Sequence, residues 1–492
     1  MTPRPGHIFD RNQEWAGLDA FAANPYSGAM LGVVSGRRRQ GKSFLLEALA
    51  TATGGLYFPA LEATDAVSLR AFTGALVRQG IPVGRPVQDW EDAIRLLFAS
   101  VTGRPTVAVI DEFPFLVKAN PSLPSIIQRE LGPGGAGQGS ALRLVLCGSA
   151  MSVMGQLLAG QAPLRGRASL ELLVRPFGYR EAARFWGADD PELAVLLHAV
   201  VGGTPAYRRE FVAFDAPDGR DDFDPWVLRT VLNRQSPLFR EARYLLAEET
   251  EIRDPGLYHS VLAAIASGNQ TNGGIANYVG RRSADITHPL NVLEDAALIT
   301  REPDLFRGGK WLYRVSEPLI TFYEVIMRPE WFRLEAGFAE QVWRDQRPDF
   351  LRRVIGPHFE SLCRSFVPLA DGLVDGAIGE VGAGVVNDPE KRTQIQVDVA
   401  VLAPPEPNGR RRVLSLGEVK WGEVMTPYHA ERLARARALL ATSLDVSDCA
   451  LACYSAAGFS ADLRAMAGPG LSLVSLADIY GSSSRARQRR PK

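Results

Sequence analysis

The sequence predicts an α/β protein that begins with a parallel sheet covered by helices, and three observations predict it. Met30–Ser35 is an apolar strand that runs into a glycine-containing loop and then an apolar helix, Phe44–Ala52. Thr106–Ile110 is an unbroken run rich in β-branched residues, as expected for a strand buried on both faces. Arg143–Cys147 is another such run, and helical segments separate all three, the strand–helix order of a parallel sheet.

In chain order, Gly55–Phe58 reads as a short strand, and helices follow around 67–79 and 90–101. A further helix covers about 122–131. The segment Gly132–Gly139 (Gly-Pro-Gly-Gly-Ala-Gly-Gln-Gly) reads as a mobile surface loop. After 176 the pattern becomes helical, with amphipathic spacing near 178–200 and 205–214, and Asp215–Asp224 reads as an acidic linker. Tyr258–Ser267, Gly274–Gly280 and Ser283–Ala296 read as three helices. Ala297–Arg301 and Trp311–Val315 read as the strands of a hairpin turned at Asp304–Lys310. The last part carries a helix over Asp349–Phe366 and strands at Gln394–Leu402 and Val413–Lys420.

A chain of 492 residues suggests about three domains. The expected units are 1–175, a helical segment with linker at 176–225, 226–335, 345–480, and a basic tail at 481–492. The tail, with Arg485, Arg487, Arg489, Arg490 and Lys492, reads as a solvated end or a weak contact to nucleic-acid phosphates. Hydrophobic residues are 46% and charged residues 22%, ordinary for a folded protein, and the formal net charge is zero. Any nucleic-acid partner must therefore be read from local patches. The four cysteines are scattered, with no His or Cys cluster beside them, so they read as buried thiols in a reducing compartment. No apolar run reaches the ~18 residues of a membrane helix. The N-terminus lacks the apolar core of a signal peptide, so the expected location is the cytoplasm and no membrane partner is expected.

The first chemical constellation is Gly36-Arg37-Arg38-Arg39-Gln40-Gly41-Lys42-Ser43, with Phe44 opening the following helix. Two glycines five residues apart, followed by Lys and Ser, between a strand and a helix, have the Walker A spacing. The glycines let backbone N–H groups turn around phosphates, and the helix N-terminus adds partial positive charge. Lys42 is expected to reach the β- and γ-phosphates of ATP, and Ser43 to ligate magnesium. The strand 107–110 runs into Asp111-Glu112, as a Walker B strand does. Asp111 is expected to serve the magnesium, and Glu112 to polarise the attacking water as a general base. Ser149, after the next strand, reads either as a polar sensor of the γ-phosphate or as a helix N-cap.

A second constellation lies near the C-terminus. Asp398 interrupts the apolar strand Gln394–Leu402, and Glu418-Val-Lys420 ends the next strand. Residues two apart on a strand share a face, so Glu418 and Lys420 point into one site. Charges in such apolar runs are costly without a role. Asp398 and Glu418 are expected to bind magnesium together. Lys420 would orient or deprotonate water and steady charge on a phosphate, and Glu360 would complete the metal cluster from its helix. His429, Glu431 and Arg432 follow on the next helix as possible border residues. An exposed edge-strand salt bridge is the plain alternative.

Phe9-Asp10-Arg11, the Walker segments, Ile-Asp-Glu-Phe-Pro and Cys-Gly-Ser-Ala resemble the prokaryotic AAA+/STAND-type ATPases. The resemblance implies that the first of these borders adenine and that Gly203-Thr204-Pro205 belongs to a helical lid, with Pro205 near the base. Arg165 or Arg167 would be an arginine finger, in cis or from a neighbouring subunit of a homo-oligomer, or else a structural ion pair. Residues 255–316 resemble a winged helix-turn-helix. Arg281, Arg282, His288 and Asn291 on its third helix, with Arg307 and Lys310 on its wing, are candidate DNA contacts, although such modules also serve other interactions. The acid followed by Glu-x-Lys resembles the PD-(D/E)xK restriction-endonuclease-like domain that accompanies this ATPase family. It departs from that pattern in having Val397, not Pro, before Asp398.

The expected fold is thus a P-loop NTPase sheet with a helical lid, a winged helix and a C-terminal nuclease-like α/β domain. The expected function is a magnesium-ATP ATPase that is DNA-associated and hydrolyses DNA phosphodiester bonds. The alternative is a nucleotide-dependent switch or DNA-binding regulator with an inactive C-terminal domain.

Overall fold

The computed structural model describes residues 3–84, 86–247, 254–406 and 409–481. The basic tail expected after 481 lies outside the described residues.

The first sheet has five parallel strands: β1 (Met30–Ser35), β2 (Leu56–Pro59), β3 (Thr106–Asp111), β4 (Leu142–Gly148) and β5 (Ala168–Leu173), in the order β2-β3-β4-β1-β5. Apolar side chains alternate between its faces. Val107, Val109, Val145 and Cys147 pack with Trp15, Leu45 and Leu49 on one side, while Ala108, Ile110, Leu144 and Leu146 pack with Phe72, Trp90 and Leu97 on the other. Burial on both faces is why β3 and β4 are continuous apolar runs.

Three elements had no counterpart in the sequence pattern, and two local readings needed correction. β5 is an edge strand whose residues alternate between half-buried and exposed, so it carries no continuous apolar signal. A helix over Asn12–Ala22 starts from Arg11 in the left-handed region, and another over Phe113–Ala119 follows β3 directly. Gly132–Gly139 is not a free surface loop. Residues Ala136–Gly139 form a tight turn whose Ala136 N–H donates to the Glu130 carboxylate at 3.0 Å, and Gly137 O accepts from Ala29 N at 2.7 Å. A Cβ at Gly135 or Gly137 would stand 2.3 or 2.6 Å from Glu130 O, so close packing accounts for those glycines. The acidic stretch 215–224 is half helix. Arg220–Arg229 is helical, and Arg229 bridges Asp215 and Asp222 at 2.9 and 2.7 Å.

Pro255–Ala266, Asn272–Val279 and Ser283–Asp295 form three helices, followed by the antiparallel pair β6 (Ile299–Pro303) and β7 (Trp311–Val315). The second sheet comprises β8 (Glu380–Asp388), β9 (Thr393–Leu402), β10 (Val413–Lys420), β11 (Ala450–Ser455) and β12 (Leu471–Ser475), in the order β12-β11-β10-β9-β8. β8, β9 and β10 pair antiparallel, while β10, β11 and β12 pair parallel. The helix Gly356–Phe366 covers one face and Pro427–Leu440 the other.

The expected units at 176–225, 226–335 and 345–480 share a core. One apolar cluster runs continuously from Phe177 through Trp226, Leu262, Phe322 and Phe359 to Ile479. The hairpin turn adds to this joint. Leu305 N donates to Ala383 O at 3.1 Å, Val385 N donates to Asp304 Oδ1 at 3.3 Å, and Leu305 packs into the core beneath β8. Gly382 and Gly384 make room: a Cβ at Gly384 would stand 2.4 Å from the Phe306 ring. No helix among the described residues is long and apolar enough to cross a membrane.

Candidate functional site

The loop between β1 and the helix Lys42–Thr53 is shaped by two glycines at positive φ. Gly36 lies at φ 150, where a Cβ would meet Val174 O at 2.4 Å, and Gly41 at φ 86 caps the helix. Lys42 is buried, and its Nζ donates to Gly36 O at 2.5 Å and Arg37 O at 2.8 Å. Burial pulls its pKa down, and the nearby Asp111 and Glu112 offset only part of this.

Asp111, at the end of β3, is buried. Its Oδ2 accepts from the Tyr57 hydroxyl at 2.6 Å and its Oδ1 from Glu112 N at 2.9 Å. Burial raises its pKa, but hydrogen bonds from Cys147, Ser43 and Tyr57 outweigh that and hold the carboxyl below its ordinary value. Ser43 and Asp111 are therefore together, with Asp111 ionised, a hard-oxygen pair that fits a divalent cation. Glu112 stands at φ 51, and both of its oxygens lie 3.0 Å from Ser149 Oγ, which also accepts from Arg38 Nε at 3.3 Å. Ser149 thus lies between Arg38 and Glu112, and it makes no cap bond to the helix Met151–Leu158.

A cavity of about 660 Å³ opens beside the loop. Arg38, Arg39, Gln40, Gly41, Lys42 and Ser43 line it, as do Phe44, Glu112 and Pro205. Gly36, Arg37, Asp111 and Ser149 are not on its wall. Phe9, Phe177 and Phe185 form an apolar corner with ring centroids 5.2–5.4 Å apart, and Arg209 stacks over Phe44 at 4.7 Å. Arg11 joins the parts. It donates to Gln40 O at 3.0 Å and Arg175 O at 2.7 Å, and it stacks on Phe177 at 4.4 Å. Gln40 Nε2 reaches Thr204 Oγ1 at 3.1 Å, tying the loop to the Gly203-Thr204-Pro205 segment.

Two of the three loop arginines face away from the loop. Arg37 pairs with buried Glu317 and donates to Ala297 O at 3.3 Å, and Arg39 pairs with buried Glu241 at 2.8 Å. Arg165 and Arg167 are exposed and line no part of the cavity. Sequence reasoning missed Tyr57, Phe177, Phe185 and Arg209, because nothing in the local motif marks side chains that the fold supplies from elsewhere.

In the second sheet, Asp398, Glu418 and Lys420 do converge. Asp398 is buried; its Oδ2 accepts from Val419 N at 2.9 Å and its Oδ1 from Gln396 Nε2 at 3.0 Å. Burial, then the charge of Glu360, push its pKa up to about 7. Glu418 is 1% exposed. Its Oε1 meets Lys420 Nζ at 3.1 Å and Arg432 at 2.5 Å, while its Oε2 is buried with no hydrogen-bond partner among the described residues. A buried carboxylate oxygen without a donor, beside a second carboxylate resisting ionisation, leaves an acceptor beyond the Lys420 and Arg432 contacts on Oε1. These residues fit a divalent cation.

Glu360 does not complete a three-carboxylate cluster. It lies on its helix 3.9 Å from Arg364, and no group of three or more His, Cys, Asp or Glu among the described residues is arranged to hold a metal. Arg364 instead donates to Asp398 O at 2.9 Å. Of the border residues, Arg432 reaches Glu418. His429 caps its own helix with Thr426, and Glu431 points to solvent.

At the start of the third helix of the middle unit, Arg281 and Arg282 precede its first turn, His288 and Asn291 lie on it, and all four are exposed, with Arg282 held by Asp285 at 2.9 Å. On the hairpin, Arg307 folds back onto Asp304 at 2.6 Å and Lys310 is exposed. The base of this turn docks on β8 through Asp304 and Leu305, while Lys310 stays exposed.

No family model matches the chain. It is 26% identical over 341 residues to the uncharacterized protein MJECL04 of Methanocaldococcus jannaschii, covering 68% of this chain and 72% of that protein. Among solved structures it is similar to the Walker-type ATPase PABY2304 of Pyrococcus abyssi, with 18% identity, a TM-score of 0.48, and coverage of 65% of this chain and 97% of that one. It is also similar to the ORC2 protein of Aeropyrum pernix, with 17% identity, a TM-score of 0.41, and coverage of 68% and 97%.

Proposed function

We propose that this chain is a magnesium-ATP-binding ATPase associated with DNA, and that its second sheet carries a metal-dependent centre for phosphodiester hydrolysis. The loop supports the first part. Its amides and Lys42 take the phosphates, and Phe9, Phe44, Phe177 and Pro205 supply an apolar wall for the base. Glu112 is the base for the attacking water, with its carboxylate held by Ser149, whose hydroxyl accepts in turn from Arg38. Ser43 and Asp111 would hold the magnesium, which when bound neutralises charge on the phosphate oxygens.

The observation that carries the second part is Glu418 Oε2, buried and without a partner beside Asp398. Asp398 and Glu418 would hold a divalent cation, which supplies Lewis acidity toward a phosphodiester. Lys420, bound to Glu418, is placed to orient water and steady developing negative charge. The exposed edge of the third helix, with His288 and Asn291, and the Arg281-Arg282 segment leading into it, is the DNA-facing surface of a winged-helix unit. Nicking of supercoiled DNA with magnesium or manganese tests this centre. Wild type nicks and Lys420→Ala does not; equal absence of nicking in both sinks the hydrolytic part.

One observation favours a second reading, a nucleotide-dependent switch or DNA-binding regulator. Arg432 already supplies a cation to Glu418. Under that reading, divalent ions leave the thermal stability of wild type and Asp398→Asn equally unchanged.

A further inference from the structure

A second cavity, of about 540 Å³, lies where the segment 175–203, the β6–β7 hairpin and the helix Gly356–Phe366 meet. It is separate from the loop cavity, but the two share one wall residue, Phe177. Its volume is in the range of small-molecule sites.

Glu317 is the unusual member of its lining. The side chain is 1% exposed; Oε2 pairs with Arg37, while Oε1 is buried with no hydrogen-bond partner among the described residues. A buried carboxylate oxygen left unpaired costs about 1–3 kcal/mol or more, so the site is built to receive an N–H or O–H donor. The rest of the lining favours an anion. Of the four arginines on its wall, Arg314 and Arg353 are held by Glu302 and by Asp349 (3.3 Å), while Arg175 and Arg180 have no carboxylate partner among the described residues. Glu302 is already paired with Arg314 at 2.9 Å. Arg175, at the exposed rim, has no side-chain hydrogen bond or ion pair among the described residues. The rings of Phe177 and Tyr179 provide flat apolar walls.

We infer that this cavity is a second ligand site, for a purine nucleotide whose base edge donates to Glu317 Oε1 and whose phosphate meets the arginine rim at Arg175. A purine brings N–H donors, a face to lie against an aromatic wall, and an anionic end, which together match these three features. The site is wired to the loop, because the other oxygen of Glu317 holds Arg37 and Phe177 is common to both cavities. A ligand there changes the pairing that anchors the loop, so it modulates nucleotide handling at Lys42.

Calorimetric titration of the full chain with guanosine and adenosine monophosphates, which lack β- and γ-phosphates for the loop, tests the site. Thr321→Phe fills the cavity without touching Arg37, and Glu317→Gln replaces the acceptor with an amide. At least one monophosphate binds wild type, and each variant weakens that binding about tenfold or more. If Thr321→Phe does not fold, as judged by circular dichroism, Ser361→Trp fills the cavity from the facing helix and takes its place. Absence of binding for both monophosphates up to about 1 mM, or binding that survives the cavity-filling variant, overturns the site. Binding lost in the cavity-filling variant but kept in Glu317→Gln overturns the role of Glu317.

Discussion

Arg37, inside the glycine loop, pairs with Glu317 at the end of the β6–β7 hairpin, 280 residues away in the chain. The side chains are 10% and 1% exposed, so this is a buried ion pair linking the loop to the elements that follow the first sheet. Removing one partner leaves a buried charge uncompensated, which costs about 3–5 kcal/mol. Arg37→Ala should lose that much stability in denaturant unfolding, and Arg37→Met combined with Glu317→Leu should recover most of it. A loss below about 0.5 kcal/mol, the scale of an exposed pair, would place the pair in solvent.

The hairpin turn is a mechanical joint between the middle helices and the second sheet. Gly384 faces the Phe306 ring, with an added Cβ at 2.4 Å. Gly384→Val should push the turn off β8, lowering stability by about 1–3 kcal/mol and speeding amide exchange at Leu305, whose N–H bonds Ala383 O. Unchanged exchange at Leu305 would mean that the turn does not depend on this fit.

His198 Nδ1 lies 2.9 Å from His358 Nε2, and both residues are half-buried. Burial lowers His198 to about 4 and pushes His358 well below its ordinary value. In the unfolded chain each histidine titrates near about 6.5. The folded state therefore binds fewer protons, and the pair's contribution is intact above about pH 6.5 and lost as pH falls toward about 4. His358→Gln should flatten the fall in melting temperature across that window. An equally steep fall in both proteins would remove the pair as its source.

At the second sheet, Arg432 and Lys420 are the cations on Glu418. Arg432→Ala leaves the carboxylate with less positive charge, so stability should drop by about 3 kcal/mol in chelator. Added magnesium or manganese should restore part of it, and more than it adds to wild type. If divalent ions restore nothing, the site is a structural ion pair.

Strands buried on both faces were legible in the sequence. β1 and β10 have the boundaries that their apolar runs predict, and β3 and β4 each run slightly past them; the hairpin strand β7, mostly half-buried, also has its expected bounds. β5 was not, because an edge strand with Ser169 and Glu171 exposed lacks a continuous run. The helix Phe113–Ala119 was hidden by Pro114, which reads as a break but is tolerated in a first turn. The fold does bring Lys42, Ser43, Asp111 and Glu112 to one end of the first sheet, and Asp398, Glu418 and Lys420 to one region of the second. The apolar corner of Phe9, Phe177 and Phe185, the Arg37–Glu317 pair and the docking of Leu305 on β8 were illegible. They depend on long-range packing with no periodic signature. Glu360 illustrates the converse: a correctly placed helix does not fix where its carboxylate lands.

The most direct measurement is ATP binding and single-turnover phosphate release by wild type, Lys42→Ala and Glu112→Gln. Glu112 lies at the loop cavity with its carboxylate held by Ser149, so Glu112→Gln should bind ATP within about threefold of wild type yet release phosphate at least about 100-fold more slowly. Lys42→Ala should lose ATP binding. Normal phosphate release by Glu112→Gln would contradict the assignment of the base, and undiminished ATP binding by Lys42→Ala would contradict the phosphate-binding role of the loop itself.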